Sequence, residues 1–242
     1  MWTVLALAAG TALATGVGAL PFAFFMPTRR WLGVGNAVAA GLMLAASASL
    51  IIEGHAVGPG EVLGGVVLGG VFILLSHRWL AGRGHLDVAG LKGADARKAL
   101  LLVGAMTVHS AAEGIGIGVS FGGGAELGLF ISVAIAVHNI PEGLAISLVL
   151  VPRGVSTWRA AGWSVFSSLP QPLLAVPAFI FVLQFGAVLS WGLGFAAGAM
   201  IWMVVTDLIP DALRDAGGRA PVAAGVVISA LGMALLQIFL KG

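Results

Sequence analysis

Two short stretches of this chain carry the same pair of side chains able to hold a metal. HSAAEG sets His109 four residues before Glu113, and HNIPEG sets His138 four residues before Glu142. A spacing of four puts both members of a pair on one face of an α-helix. Imidazole with carboxylate suits zinc, iron, manganese, cobalt or nickel, and a bound dication would neutralise both carboxylates without protonating them. One such pair is equally readable as a neutralised structural contact between helices; a second copy on the next segment favours metal. Asn139, beside His138, adds an amide oxygen.

Other polar groups surround these pairs. Ser164, Ser167, Ser168 and Gln171 recur at offsets 0, 3, 4 and 7, a polar stripe expected to face the same cavity. Pro170, Pro172 and Pro177 should disturb that segment, and Pro141 should kink or loosen the one carrying HNIPEG. Gly114, Gly116, Gly118 and Gly143 follow the candidate ligands and would let neighbouring helices approach closely. Asp207, in VVTDLIPDAL, reads either as an exit station for a cation or as a hydrated interfacial residue.

The elements that position these residues must lie in a bilayer. Hydrophobic residues make up 59% of the 242 and charged residues only 9%, with a mean hydropathy of +1.06, so the chain cannot cover a soluble globule with charge. The length leaves no room for a large soluble domain beside the spans, and a single domain over 1–242 is expected. The absence of cysteine excludes disulfides, thiolate zinc sites and cysteine nucleophiles. The net charge of +2 comes from cations scattered between hydrophobic blocks, which argues against a nucleic-acid partner.

The apolar runs predict an all-α integral membrane fold of eight spans, about 2–26, 34–52, 61–80, 99–120, 127–151, 160–184, 186–210 and 221–240. Basic residues test the count, because they stay on the cytoplasmic side. Arg29 and Arg30, then Arg78, Arg83, Lys92, Arg97 and Lys98, then Arg153 and Arg159, then Arg214 and Arg219 fall at connections of one side, and only Lys241 does not. Both termini are therefore expected outside. The first segment contains a cleavage-like Ala-Leu-Ala, but it lacks a basic start and stays apolar to Phe25, so it is kept as a span. The stretch from about 81 to 98 reads as a mobile cytoplasmic connector, where His77 and His85 are either solvated or collect metal. Glu53, His55 and Glu61 read as outer loop residues or as an entrance. Of the ten acidic residues, Glu113, Glu142 and Asp207 remain within spans, joined by His109 and His138. Segments four and five run antiparallel with His109 and His138 near mid-span, so the two pairs can face each other at one depth.

At these residues the chain resembles the ZRT/IRT-like (ZIP) family of divalent-metal transporters, whose fourth and fifth spans carry His-x-x-x-Glu/Asp-Gly motifs. HNIPEGLA at 138–145 is a close match and HSAAEGIGIG at 109–118 a looser one. The resemblance implies His109, Glu113, His138 and Glu142 as primary metal ligands, with Asn139 contributing and span six supplying a further group, here Gln171. Ser110 stands where many relatives have Asn, and Gln171 where span six often supplies Glu; both departures weaken a second site. Two carboxylates match one dication, so a mononuclear site is expected. The resemblance also implies a 3 + 2 + 3 arrangement with inverted-repeat triplets, a homodimer, and motion of a ligand-bearing bundle against a scaffold. AAGLM at 39–43 and AAGAM at 196–200 are an internal echo of such a repeat.

The function so implied is alternating-access transport of a divalent transition metal, zinc foremost and also cadmium, iron, manganese or cobalt, from outside to cytoplasm across the plasma or inner membrane. The ion is substrate, not a catalytic cofactor. Ser110, Ser167, Ser168 and Asp207 are candidate pathway residues. The competing class is a membrane-embedded metal-dependent hydrolase, which would use the ion to activate water. The sequence lacks HExxH, in which the Glu beside the first His acts as base, so spare bases are few.

Overall fold

The computed structural model describes residues 1–81 and 93–241. Eight apolar helical stretches among them are long enough to cross a membrane, in agreement with the sequence expectation. The helices are α1 (Trp2–Val17), α2 (Arg29–Val57), α3 (Pro59–Ala81), α4 (Gly93–Gly122), α5 (Ala125–Leu150), α6 (Thr157–Ser167), α7 (Pro170–Gln184), α8 (Leu189–Met203), α9 (Ile209–Asp215) and α10 (Arg219–Lys241). No strand occurs among the described residues.

The ends of the spans differ from the sequence expectation for physical reasons. Hydropathy marks the part of a helix that meets lipid, whereas helical hydrogen bonding continues until the backbone is interrupted. α2 thus carries Glu53 and His55 as helical residues, not loop residues, and stops at Gly58, whose extended backbone (φ −161°) is what the following Pro59 imposes. Glu61 likewise sits in the first turn of α3. α4 begins at Gly93, inside the expected connector, because ADARKA is rich in good helix formers. His85 and the rest of residues 82–92 lie outside the described residues. The first span is shorter than expected: α1 ends at Val17 and continues as a 3-10 turn, Leu20–Ala23, with Pro21 near its start.

Proline acts unevenly. Span six is two helices, broken at Ser168–Leu169, because Pro170 and Pro172 cannot donate to the preceding turn. The backbone instead tightens into short-range bonds, Ser168 N–H to Val165 O and Gln171 N–H to Ser168 O. α5, by contrast, runs as one helix through Pro141, so the expected loosening does not break it. Span seven contains an irregularity that the sequence reading missed: a π turn at Val204–Leu208, just ahead of Pro210, which joins α8 to α9.

The most extensive helix contacts form matching pairs. α3 packs on α8 and α10 on α2; α4 packs on α7 and α1 on α5. Exchanging spans one with six, two with seven, three with eight and four with five turns each pair into another. The AAGLM and AAGAM stretches sit at equivalent points of this pattern. Gly41 faces the Val226 carbonyl of α10, and Gly198 faces the Val66 carbonyl of α3. Ala39, Ala40, Met43, Ala196, Ala197 and Met200 are all in the main buried core.

Candidate metal centre

His109 and Glu113 project from α4 and His138 and Glu142 from α5, and none of the four is more than 4% exposed. One ligand atom from each can be chosen so that all four lie within 4.8 Å of one another. Tetrahedral zinc with bonds of about 2.0–2.1 Å needs ligand atoms about 3.3 Å apart, so the widest pairs would have to draw in and the closest ones to spread. Glu113 Oε1 is the hub: it contacts His138 Nε2 and lies 3.0 Å from His109 Nε2. His109 Nε2 is also 2.7 Å from Glu142 Oε1.

His109 Nε2 nevertheless forms no hydrogen bond, and Glu142 Oε2, Asn139 Oδ1 and Ser110 Oγ are also buried without a partner. A buried polar atom left unpaired costs about 1–3 kcal/mol. Several such donor atoms beside two carboxylates form an arrangement that a bound dication would relieve.

A second ring of contacts orients the first. Gln171 Nε2 donates to Glu113 Oε2 at 2.6 Å. Gln171 Oε1 accepts from Thr11 Oγ1 at 2.6 Å and from Asn139 Nδ2 at 3.2 Å, while Asn139 Nδ2 also donates to the Thr11 carbonyl at 2.8 Å. Gln171 is therefore at the centre, but its amide oxygen is taken up by two donors and its nitrogen faces Glu113. Ser168 Oγ meets Thr15 Oγ1 at 2.7 Å. Ser167 and Ser164 instead donate to carbonyls of their own helix, Ser164 O and Ala160 O. The backbone approach is equally close: a Cβ on Gly114 would stand 2.8 Å from Gln171 Cα and from the Pro170 carbonyl oxygen. The sequence reading missed Thr11 and Thr15; two of the three threonines of an otherwise apolar first helix, set four apart, were the available signal.

A cavity of about 500 Å³ leads from Glu142 past Ala145, Leu148 and Asp207 to Arg29, Arg153 and Arg214. Those arginines come from three different connections and gather at one end, as the charge pattern requires. Asp207, in the π turn, also lines an adjoining cavity of about 270 Å³ with His77, whose Nε2 is 3.9 Å from its carboxylate. His77 is thus beside Asp207, near the cavity mouth and apart from the four-residue cluster.

Fold and site together define a multi-pass membrane protein with a buried centre of histidine and carboxylate donors suited to a divalent metal. Residues 83–240 match the family described as ZIP Zinc transporter. The chain is 48% identical over 238 residues to an Arabidopsis thaliana protein named for zinc transport, covering 97% of this chain and 38% of that protein. It is 36% identical over 229 residues to Zinc transporter GufA of Myxococcus xanthus, covering 87% and 88%. With Zinc transporter ZIP11 of Homo sapiens it shares 35% identity over 150 residues, 57% of this chain and 42% of that one. The chain spans well under half the length of the plant and human relatives. It belongs to the ZIP zinc transporter family.

Proposed function

We propose that this protein moves a divalent transition metal, zinc foremost, from outside to cytoplasm through the buried cluster of His109, Glu113, His138 and Glu142. The observation that carries the reading is that cluster itself, four N/O donors drawn together in mid-span with one of them, Glu142, opening onto a cavity. The ion sheds water, exchanges it for two imidazoles and two carboxylates, and leaves past Asp207 toward the arginine-lined end. Asn139 Oδ1 and Ser110 Oγ, each on a residue adjoining a cluster histidine and each buried without a partner, are spare oxygens for a fifth contact. Two carboxylates balance one dication, so the centre is mononuclear.

The exchange of helix pairs supports an inverted-repeat 3 + 2 + 3 plan, in which spans four and five, with one and six, shift against the rest. A homodimer in the plasma or inner membrane, with both termini outside, completes the proposal. The hydrolase alternative is weaker, since each carboxylate of the cluster is already engaged with a histidine and none is left as base. Sealed proteoliposomes distinguish the two. Accumulation of zinc, cadmium, manganese or iron(II) in the lumen without chemical turnover supports transport; metal-dependent hydrolysis with no accumulation would overturn it.

A further inference from the structure

Two side chains of the first span reach the groups around the four-residue cluster: Thr15 meets Ser168, and Thr11 meets Gln171, which itself bonds to Glu113. The orientation of the Gln171 amide follows from its other neighbours. Reversed, it would set Oε1 against the Glu113 carboxylate and Nε2 against the donor of Asn139. With Oε1 fixed as acceptor, the contact at 2.6 Å has the Thr11 hydroxyl as its donor, its one proton shared with the Ala8 carbonyl at 2.7 Å. All three side chains are buried, at 2% exposure for Thr11 and 0% for Gln171 and Glu113, so water does not compete for these bonds.

We infer that Thr11 is a positioning residue for the metal centre: it holds Gln171 as a hydrogen-bond donor to Glu113 Oε2, leaving Glu113 Oε1 as the oxygen offered to the cation. This rests on the reading of the cluster as the metal site. The chain of contacts, Thr11 to Gln171 to Glu113, links α1, α7 and α4, and Asn139 ties α5 to the same amide. It gives Gln171 the work of an orienting group in place of a metal ligand. Outer groups that orient metal ligands typically matter for affinity about as strongly as this geometry suggests, tenfold or more when removed. Thr11, one bond further out, should contribute the worth of a single buried hydrogen bond, about five-fold in affinity.

The test is equilibrium zinc binding to the purified full chain, with the melting temperature recorded beside it. Thr11→Val, which keeps the shape and removes the hydroxyl, should weaken zinc binding about five-fold, and Thr11→Ser should restore it. Gln171→Ala should weaken binding about tenfold, and adding Thr11→Val to it should cause no further loss, because the relay is already cut. A merely structural threonine would lower the melting temperature and weaken binding by the same factor with or without Gln171. Unchanged affinity in Thr11→Val, or a loss that multiplies with that of Gln171→Ala, overturns the inference. If Thr11→Val does not fold, Thr11→Ala takes its place in the same cycle. His109→Ala separates the two levels: if it leaves zinc binding intact the metal-site reading fails, whereas its loss of binding together with an unaffected Thr11→Val condemns the relay alone.

Discussion

At the residue scale, the two carboxylates are held differently: Glu113 from several directions, Glu142 through one oxygen on His109 with the other left unpaired. Glu113 faces both histidines with one oxygen and Gln171 with the other, which leaves its charge well placed for a cation. Replacing Glu113 by Gln should therefore weaken zinc binding by more than tenfold, measured by equilibrium titration. Proton competition has a clear sign. A histidine nitrogen that carries a proton cannot hold metal, so zinc affinity should fall as the pH is lowered, and binding isotherms across about pH 5–8 would display it. The predicted stoichiometry is one ion per protomer, and Gln171→Glu, by adding a carboxylate beside Glu113, should raise it. The four principal donors were legible in the sequence because a spacing of four is a local pattern with a fixed geometric meaning. Thr11 was not, since its partner is 160 residues away and only the folded packing of α1 on α7 joins them.

At the element scale, small residues decide how near the helices come. A Cβ on Gly143 would meet the carbonyl oxygen of Thr15, so α5 and α1 touch through their backbones beside the four-residue cluster. Gly143→Val should accordingly lower thermal stability by roughly 1–3 kcal/mol and weaken metal binding as α1 is pushed away. Gly162→Ala is the matched control, because nothing lies within 4 Å of its added methyl, and its melting temperature should stay level or rise. Eight spans could be read from apolar runs and charge placement. Their ends could not, because α2 continues through Glu53 and His55 to Val57, just before Gly58 and Pro59, and α4 begins among the polar residues ahead of its apolar run. Proline was an incomplete guide: Pro170 opens a break, Pro141 does not, and the π turn before Pro210 depends on packing that no local pattern records.

At the scale of the whole molecule, the cavity from Glu142 to Arg29, Arg153 and Arg214 shows the site open toward one end. Alternating access requires that this opening close when the other side opens. The absence of cysteine makes the test direct, since a single introduced thiol is the only one present. Ala145→Cys, lining the cavity, should react with a membrane-impermeant maleimide added on the side where Arg29, Arg153 and Arg214 gather and be protected when the cavity closes. The matched helix pairs, with Gly41 and Gly198 at equivalent contacts, explain how one chain could build two related faces around one centre. The sequence hinted at this through five-residue echoes alone, whereas the pairing itself is a property of the assembled bundle.

The most direct test of the central claim is initial-rate zinc uptake into proteoliposomes by wild type, His109→Ala and Glu142→Ala reconstituted at equal density. The account predicts zinc accumulation by the wild type and its loss in both variants, with each variant still folded by its melting curve. Uptake at the wild-type rate in folded variants would contradict it, because the ion would then be crossing by a route that avoids the four-residue centre.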